Sequence, residues 1–153
     1  MATVIFIKEG RQNRSAMRAV INYCLQEYKT FDSKSKRRLV SGVNCDDENA
    51  HREFMATKKV YGKDNGIFFY HYAQSFSPSE KLTPEQAHEI ALEFAEKAWA
   101  GHEVLVTTHC DANHIQDEFC QGYFLPKLFF SFRIIRQNRR QSHWIVLSAV
   151  LLF

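Results

Sequence analysis

The strongest constraint on how this chain folds lies between Val104 and His114, where the sequence VLVTTHCDANH joins a β-forming apolar run to three potential metal ligands. Apolar residues crowded this closely read as a strand, and the polar residues at its end leave it where a site can form. Just upstream, Thr83, Pro84 and Gln86 supply an N-cap, a first-turn proline and a capping-box partner, so a helix starts there. Its expected buried stripe is Ala87, Ile90, Ala91, Phe94 and Ala98, and Gly101 ends it before the strand at Glu103–Thr108.

The rest of the chain alternates in the same way. Thr3–Ile7 reads as a strand and Gly10–Asn13 as a break. Met17, Val20, Ile21, Cys24, Leu25 and Tyr28 then recur at helical spacing as one apolar stripe, with Tyr23 beside it. Thr30–Arg38 is polar and basic and is expected to be a flexible connection to a short strand at Leu39–Asn44. Asp46 or Asp47 can cap a helix whose apolar positions include Ala50, Phe54 and Tyr61. Gly62–Gly66 ends it, and Ile67–Phe76 reads as a strand with Tyr70, Tyr72 and Gln74 on one face and His71 and Ala73 on the other. Strands separated by long helices, without a Gly-rich phosphate loop, predict an α+β fold rather than a Rossmann unit.

At 153 residues the chain suits one core. A net charge of +3 does not by itself define a nucleic-acid binder. Its distribution is more informative, because Lys8–Arg38 holds nine Lys or Arg against Glu9, Glu27 and Asp32. Such a run is either a solvated face or a phosphate-facing surface. Cys24, Cys45, Cys110 and Cys120 form no CxxC pair, which suits reduced thiols in a cytoplasmic protein. The apolar stretch Ile145–Phe153 is too short to cross a bilayer as a helix, so no membrane insertion is expected, and a buried strand is the alternative.

On chemistry alone, His109 and His114 can bind a divalent metal, with Asp111 as a ligand or as a partner that orients a histidine. Ordinary turns place similar polar residues at strand ends. Tyr23 is a possible nucleophile toward phosphorus if positive charge or a metal stabilises its phenolate. Phe69, Tyr70 and Tyr72 can stack bases or fill the core.

Four ordered segments resemble one family: Tyr23–Thr30 (YCLQEYKT), Leu39–Cys45 (LVSGVNC), Tyr70–Phe76 (YHYAQSF) and His102–His114. Together they are similar to the N-terminal relaxase domain of plasmid and conjugative-transposon mobilisation proteins. The resemblance implies an HUH-endonuclease-type fold, with a central antiparallel sheet flanked by helices and metal-binding histidines on a central strand. It implies a nuclease that nicks single-stranded DNA at an origin of transfer and stays joined to the 5′ end through tyrosine. Mg²⁺ or Mn²⁺ would be the cofactor, and accessory mobilisation proteins would be possible partners. By this resemblance the nucleophile is Tyr23, with Tyr28 in reserve, and His109 is a metal ligand, with Asp111 and His114 in the same signature. Arg11, Arg14, Arg18, Lys34, Lys36, Arg37 and Arg38 would hold DNA phosphates.

The sequence departs from the family at Gln116 and Glu118, where the pattern HIHNHF is replaced by HIQDEF. Both residues can ligate through oxygen, but a three-histidine cage is lost. The family's apolar strand is also expected to be lost here. Residues 119–153 carry five cations and no acid, so residues 1–118 form an incomplete relaxase-like domain followed by an atypical tail, as a change of reading frame near Ile115 would produce. Two other readings stay open: an inactive single-stranded DNA-binding fragment, and a small structural or interaction domain.

Overall fold

The computed structural model describes residues 2–63, 65–77, 79–111 and 115–122. His114 and the strand expected at Ile145–Phe153 lie outside the described residues. In chain order the elements are β1 (Thr3–Ile7), α1 (Arg14–Cys24), α2 (Glu27–Thr30), β2 (Phe31–Asp32), β3 (Arg37–Arg38), β4 (Val40–Val43), α3 (Ala50–Val60), β5 (Tyr70–Ser75), α4 (Pro84–Ala98), β6 (Val104–His109) and β7 (Gln116–Gln121). Five strands form one sheet in the order β1-β5-β7-β6-β4, with every pairing antiparallel. This is the α+β architecture that the resemblance implies.

The sheet separates two apolar layers. One face meets α1 and α3 through Met17, Ile21, Ala50, Phe54, Leu105 and Cys120. The other meets α4 through Ala91, Ala95, Val104, Val106 and Phe119. β6 is buried along its whole length because helices cover both faces, which explains its unbroken apolar run. At Gly42 a Cβ would stand 2.0 Å from the carbonyl oxygen of Cys45. The chain folds back on itself at that point, and no larger residue fits.

Several expectations are corrected. The strand expected to be lost after His114 is present, and as β7 it occupies the centre of the sheet between β5 and β6. Residues 118 and 119 are consecutive members of this strand. Thr30–Arg38 is not a loose connection. Asp32 accepts hydrogen bonds from the amides of Lys34 and Ser35 and from Ser35 Oγ, closing a tight turn between β2 and β3. The stripe of α1 does not continue to Tyr28. The helix stops at Cys24, Gln26 is extended, and Tyr28 on α2 is 68% exposed. In α4, Ile90 is exposed, while Ala87, His88, Ala91 and Ala95 face the sheet. The capping box at Thr83 and Gln86 forms as expected. The helix from Ala50 starts after Asn49, and Asp46 accepts the Asn49 amide.

Candidate active site

Antiparallel register places His109 opposite Gln116 and Thr107 opposite Glu118. It also sets Ala73 of β5 opposite Glu118 and His71 opposite Cys120. Directly paired residues share a face, so His109, Glu118 and His71 all point toward α1. They converge on Glu118, which is 3% exposed. Its Oε2 accepts from Cys24 Sγ at 3.2 Å and from His71 Nε2 at 3.3 Å, and its Oε1 lies 3.6 Å from His109 Nδ1. On the far side of its ring, His71 Nδ1 meets Glu9 Oε1 at 2.8 Å. His109 Nε2 lies 3.3 Å from the Cys24 carbonyl, which can only accept, so this nitrogen is the donor.

The charges follow from these contacts. Burial pushes the Glu118 carboxyl up, but the His71 hydrogen bond, the His109 charge and the Cys24 thiol outweigh it and hold it below its ordinary value. Burial likewise opposes charging of His71, yet hydrogen bonds to Glu118 and Glu9 hold it above its ordinary value. The Cys24 thiol is raised well above the usual range, first by burial and then by the Glu118 charge.

Tyr23, the penultimate residue of α1, stands at the edge of this cluster. Its ring is 43% exposed and meets His109 edge-on, with centroids 5.8 Å apart. The Lys29 ammonium lies 3.6 Å from the centre of the Tyr23 ring. Burial disfavours charge on Lys29, but a hydrogen bond with Tyr23 and the nearby charges, Asp111 among them, hold it above its ordinary value. Cys110 N donates to the Lys29 carbonyl at 2.7 Å, tying α2 to the end of β6. The Lys29 cation thus stands over the face of the Tyr23 ring.

Of the residues expected from sequence, the structure brings Tyr23, His109 and Glu118 together. Gln116 begins β7, half-buried and paired with His109, and Asp111 lies exposed just past β6. Lys34, Lys36, Arg37 and Arg38 are exposed on the β2–β3 ribbon, and Arg38 Nη2 donates to the Leu25 carbonyl, which sets this basic edge next to the end of α1. Arg11, Arg14 and Arg18 are exposed too. On α1, however, Arg14 and Arg18 are turned roughly 180° and 140° about the helix axis from Tyr23, beside His51 of α3. Sequence reasoning missed Cys24, Lys29, His71 and Glu9. His71 carried a signal, since its alternation placed it with Ala73 on one face of the strand, but only the register shows that it faces Glu118.

The opposite face of the same strands holds a second polar chain. Ser41 Oγ lies 2.9 Å from His88 Nε2, His88 Nδ1 lies 2.8 Å from Thr108 Oγ1, and Thr108 Oγ1 donates to Asp117 Oδ1 at 2.6 Å. Asp117 Oδ2 is buried with no hydrogen-bond partner. Burial raises the Asp117 carboxyl to about 7 and lowers His88 to about 4.

The family model described as the MobA/VirD2-like relaxase, nuclease domain, matches residues 23–116. A Staphylococcus aureus protein named Protein rlx is 41% identical over 101 residues, covering 66% of this chain and 29% of that protein. A second Staphylococcus aureus Protein rlx is 43% identical over 77 residues, covering 50% of this chain and 23% of its own length. The Group II intron-interrupted relaxase LtrB of Lactococcus lactis subsp. cremoris is 31% identical over 139 residues, covering 72% of this chain and 25% of its own. The chain thus spans roughly a quarter of the length of these relatives. No solved structure matches it.

Proposed function

The chain belongs to the MobA/VirD2-like relaxase nuclease domain family, and from that premise we propose that it nicks single-stranded DNA at an origin of transfer, with Tyr23 as the nucleophile. The observation that carries this reading is the placement of Tyr23, half-exposed under the Lys29 ammonium and edge-on to His109 beside a buried carboxylate. Tyr23 Oη forms a new bond to phosphorus and gives up its proton. The bond to the 3′ oxygen breaks, that oxygen takes a proton, and the 5′ phosphate stays on the tyrosine. Reversal rejoins the ends. Lys29 stabilises the developing phenolate, and the ribbon cations Lys34, Lys36, Arg37 and Arg38 hold the strand through its phosphates.

Whether a divalent ion fits is decided by the donors present. The three-imidazole set of the family is absent, but a buried carboxylate beside two imidazoles suits a cation. His109 and Glu118 would hold the ion, with Gln116 and Asp111 as further oxygen donors beside them. Such an ion would stabilise charge on a nonbridging phosphate oxygen.

Incubation of the protein with an origin-derived single strand and a divalent ion tests the reading. The expected product is a protein–DNA adduct that survives denaturant. Tyr23→Phe abolishes it and leaves DNA binding nearly intact, because the ring packing is kept. An undiminished adduct in that variant transfers the role to Tyr28. The two lost imidazoles favour a second reading, DNA binding without cleavage, and the result expected of it is binding with no adduct in the unmodified chain.

A further inference from the structure

Cys24, His71 and Glu118 form a buried set of three different donor types whose ligand atoms all lie within 4.8 Å of one another. Removing a thiol, an imidazole and a carboxylate from water is costly, so each must find a partner within the cluster. We infer that Cys24 Sγ, His71 Nε2 and Glu118 form a zinc-class metal site, with His109 Nδ1 as the nearest candidate for a fourth donor.

Spacing is the first argument. With zinc bonds of about 2.3 Å to sulfur and about 2.0–2.1 Å to nitrogen and oxygen, neighbouring tetrahedral donors stand roughly 3.3–3.6 Å apart. Glu118 Oε2 lies 3.2 Å from Cys24 Sγ and 3.3 Å from His71 Nε2. The third pair, Cys24 Sγ and His71 Nε2, lies within 4.8 Å, so closing it by at most about 1 Å admits an ion.

The second argument is the support behind the imidazole. A ligating histidine characteristically donates its other ring nitrogen to a carboxylate, which fixes ring and tautomer. Glu9 Oε1 sits 2.8 Å from His71 Nδ1, which leaves Nε2 to face the cluster. Glu9 is partly exposed, whereas the three donors are buried.

The donor set also selects the metal. Thiolate and imidazole favour zinc over the hard ions Mg²⁺ and Mn²⁺, which prefer oxygen. On binding, Cys24 gives its thiol proton to solvent and His71 gives up its Nε2 proton while keeping the Nδ1 proton toward Glu9. No electron changes hands. This inference extends the assignment of Glu118 as an ion-holding residue, but it requires no DNA cleavage.

The test uses the full 153-residue chain, stripped with chelator and titrated with Zn²⁺ and with Co²⁺ as a spectroscopic substitute. The expected result is one equivalent bound with release of protons, a thiolate-to-cobalt charge-transfer band, and Zn²⁺ displacing Co²⁺ where excess Mg²⁺ does not. Cys24→Ser should remove the band and Cys110→Ser should keep it. Glu9→Gln, at a partly exposed position outside the donor set, should weaken binding by about 10- to 100-fold and tests the site even if Cys24→Ser folds poorly. A band that survives Cys24→Ser, unchanged affinity in Glu9→Gln, or Mg²⁺ competing on equal terms with Zn²⁺ overturns the inference. Absence of a DNA adduct with the cobalt band intact would count against the nicking reading and leave the metal site standing.

Discussion

The face of the sheet under α1 and the face under α4 each bury a histidine and a carboxylate, in contact on the first and bridged by Thr108 on the second, yet the two carboxylates are driven in opposite directions. Glu118 meets two imidazoles and a thiol and is held ionised below its ordinary value. Asp117, its neighbour on β7, meets one hydroxyl, leaves an oxygen unpartnered and rises to about 7. Burial is severe for both, so partners decide the outcome. A carboxylate ringed by proton donors can hold a cation. One facing a hydroxyl across a strand serves to join a helix to the sheet.

The sharpest way to break this contrast is to neutralise each carboxylate in turn. Glu118→Gln strips the counter-charge from His71 and should cost about 3 kcal/mol at neutral pH, read from urea denaturation. Asp117→Asn should do the reverse above pH 7. The rise from 3.8 to about 7 corresponds to roughly 4 kcal/mol of burial cost, and the unpartnered amide donor that replaces Oδ2 offsets about 1–3 kcal/mol. A net gain of about 1–3 kcal/mol follows. Equal losses in both variants would show that the two faces do not differ in this way.

Titration sharpens the comparison. Because the Asp117 value is raised in the folded state, its contribution to stability is complete below pH 3.8 and is lost as the pH rises through about 7. The advantage of Asp117→Asn should therefore vanish near pH 4. Glu118 is depressed, so its contribution is present above 4.5 and is lost as the pH falls through its lowered value. His88 moves with Glu118, since its stabilising neutral form is present above 6.5 and is lost as the pH falls through about 4. Melts of the wild type and Asp117→Asn across pH 3–8 set the Asp117 contribution apart from the losses at the acid end. The smallest effect is expected away from both networks: Thr83→Ala removes the N-cap of α4, should cost about 1 kcal/mol by the same denaturation measurement, and should leave adduct formation unchanged.

Legibility in the sequence followed the range of each interaction. Thr83 and Gln86 are three residues apart, and their capping box was readable because capping is local. The run at Val104–His109 was readable because complete burial leaves an unbroken apolar pattern. His109 and Tyr23 were candidates on their chemistry, while the family pattern drew attention to Glu118 and ranked Tyr23 ahead of Tyr28. Glu9, Cys24 and His71 were not identified, because the contacts between Glu9 and His71 and between Cys24 and Glu118 span 62 and 94 residues and depend on strand register. The ribbon at Phe31–Arg38 was missed for another reason. Its polar residues look unstructured until Asp32 is seen to satisfy three donors at once.

The position of β7 governs the order of events as the chain is made. Among the described residues β1 pairs with β5 alone and β4 with β6 alone, so until residues 116–121 arrive these strands form two separate antiparallel pairs. The two pairs can therefore join into one sheet only after nearly all of the described chain has left the ribosome. Until then the inner edges of β5 and β6 stay open to any passing strand, and this interval is when the nascent protein most needs shielding from aggregation.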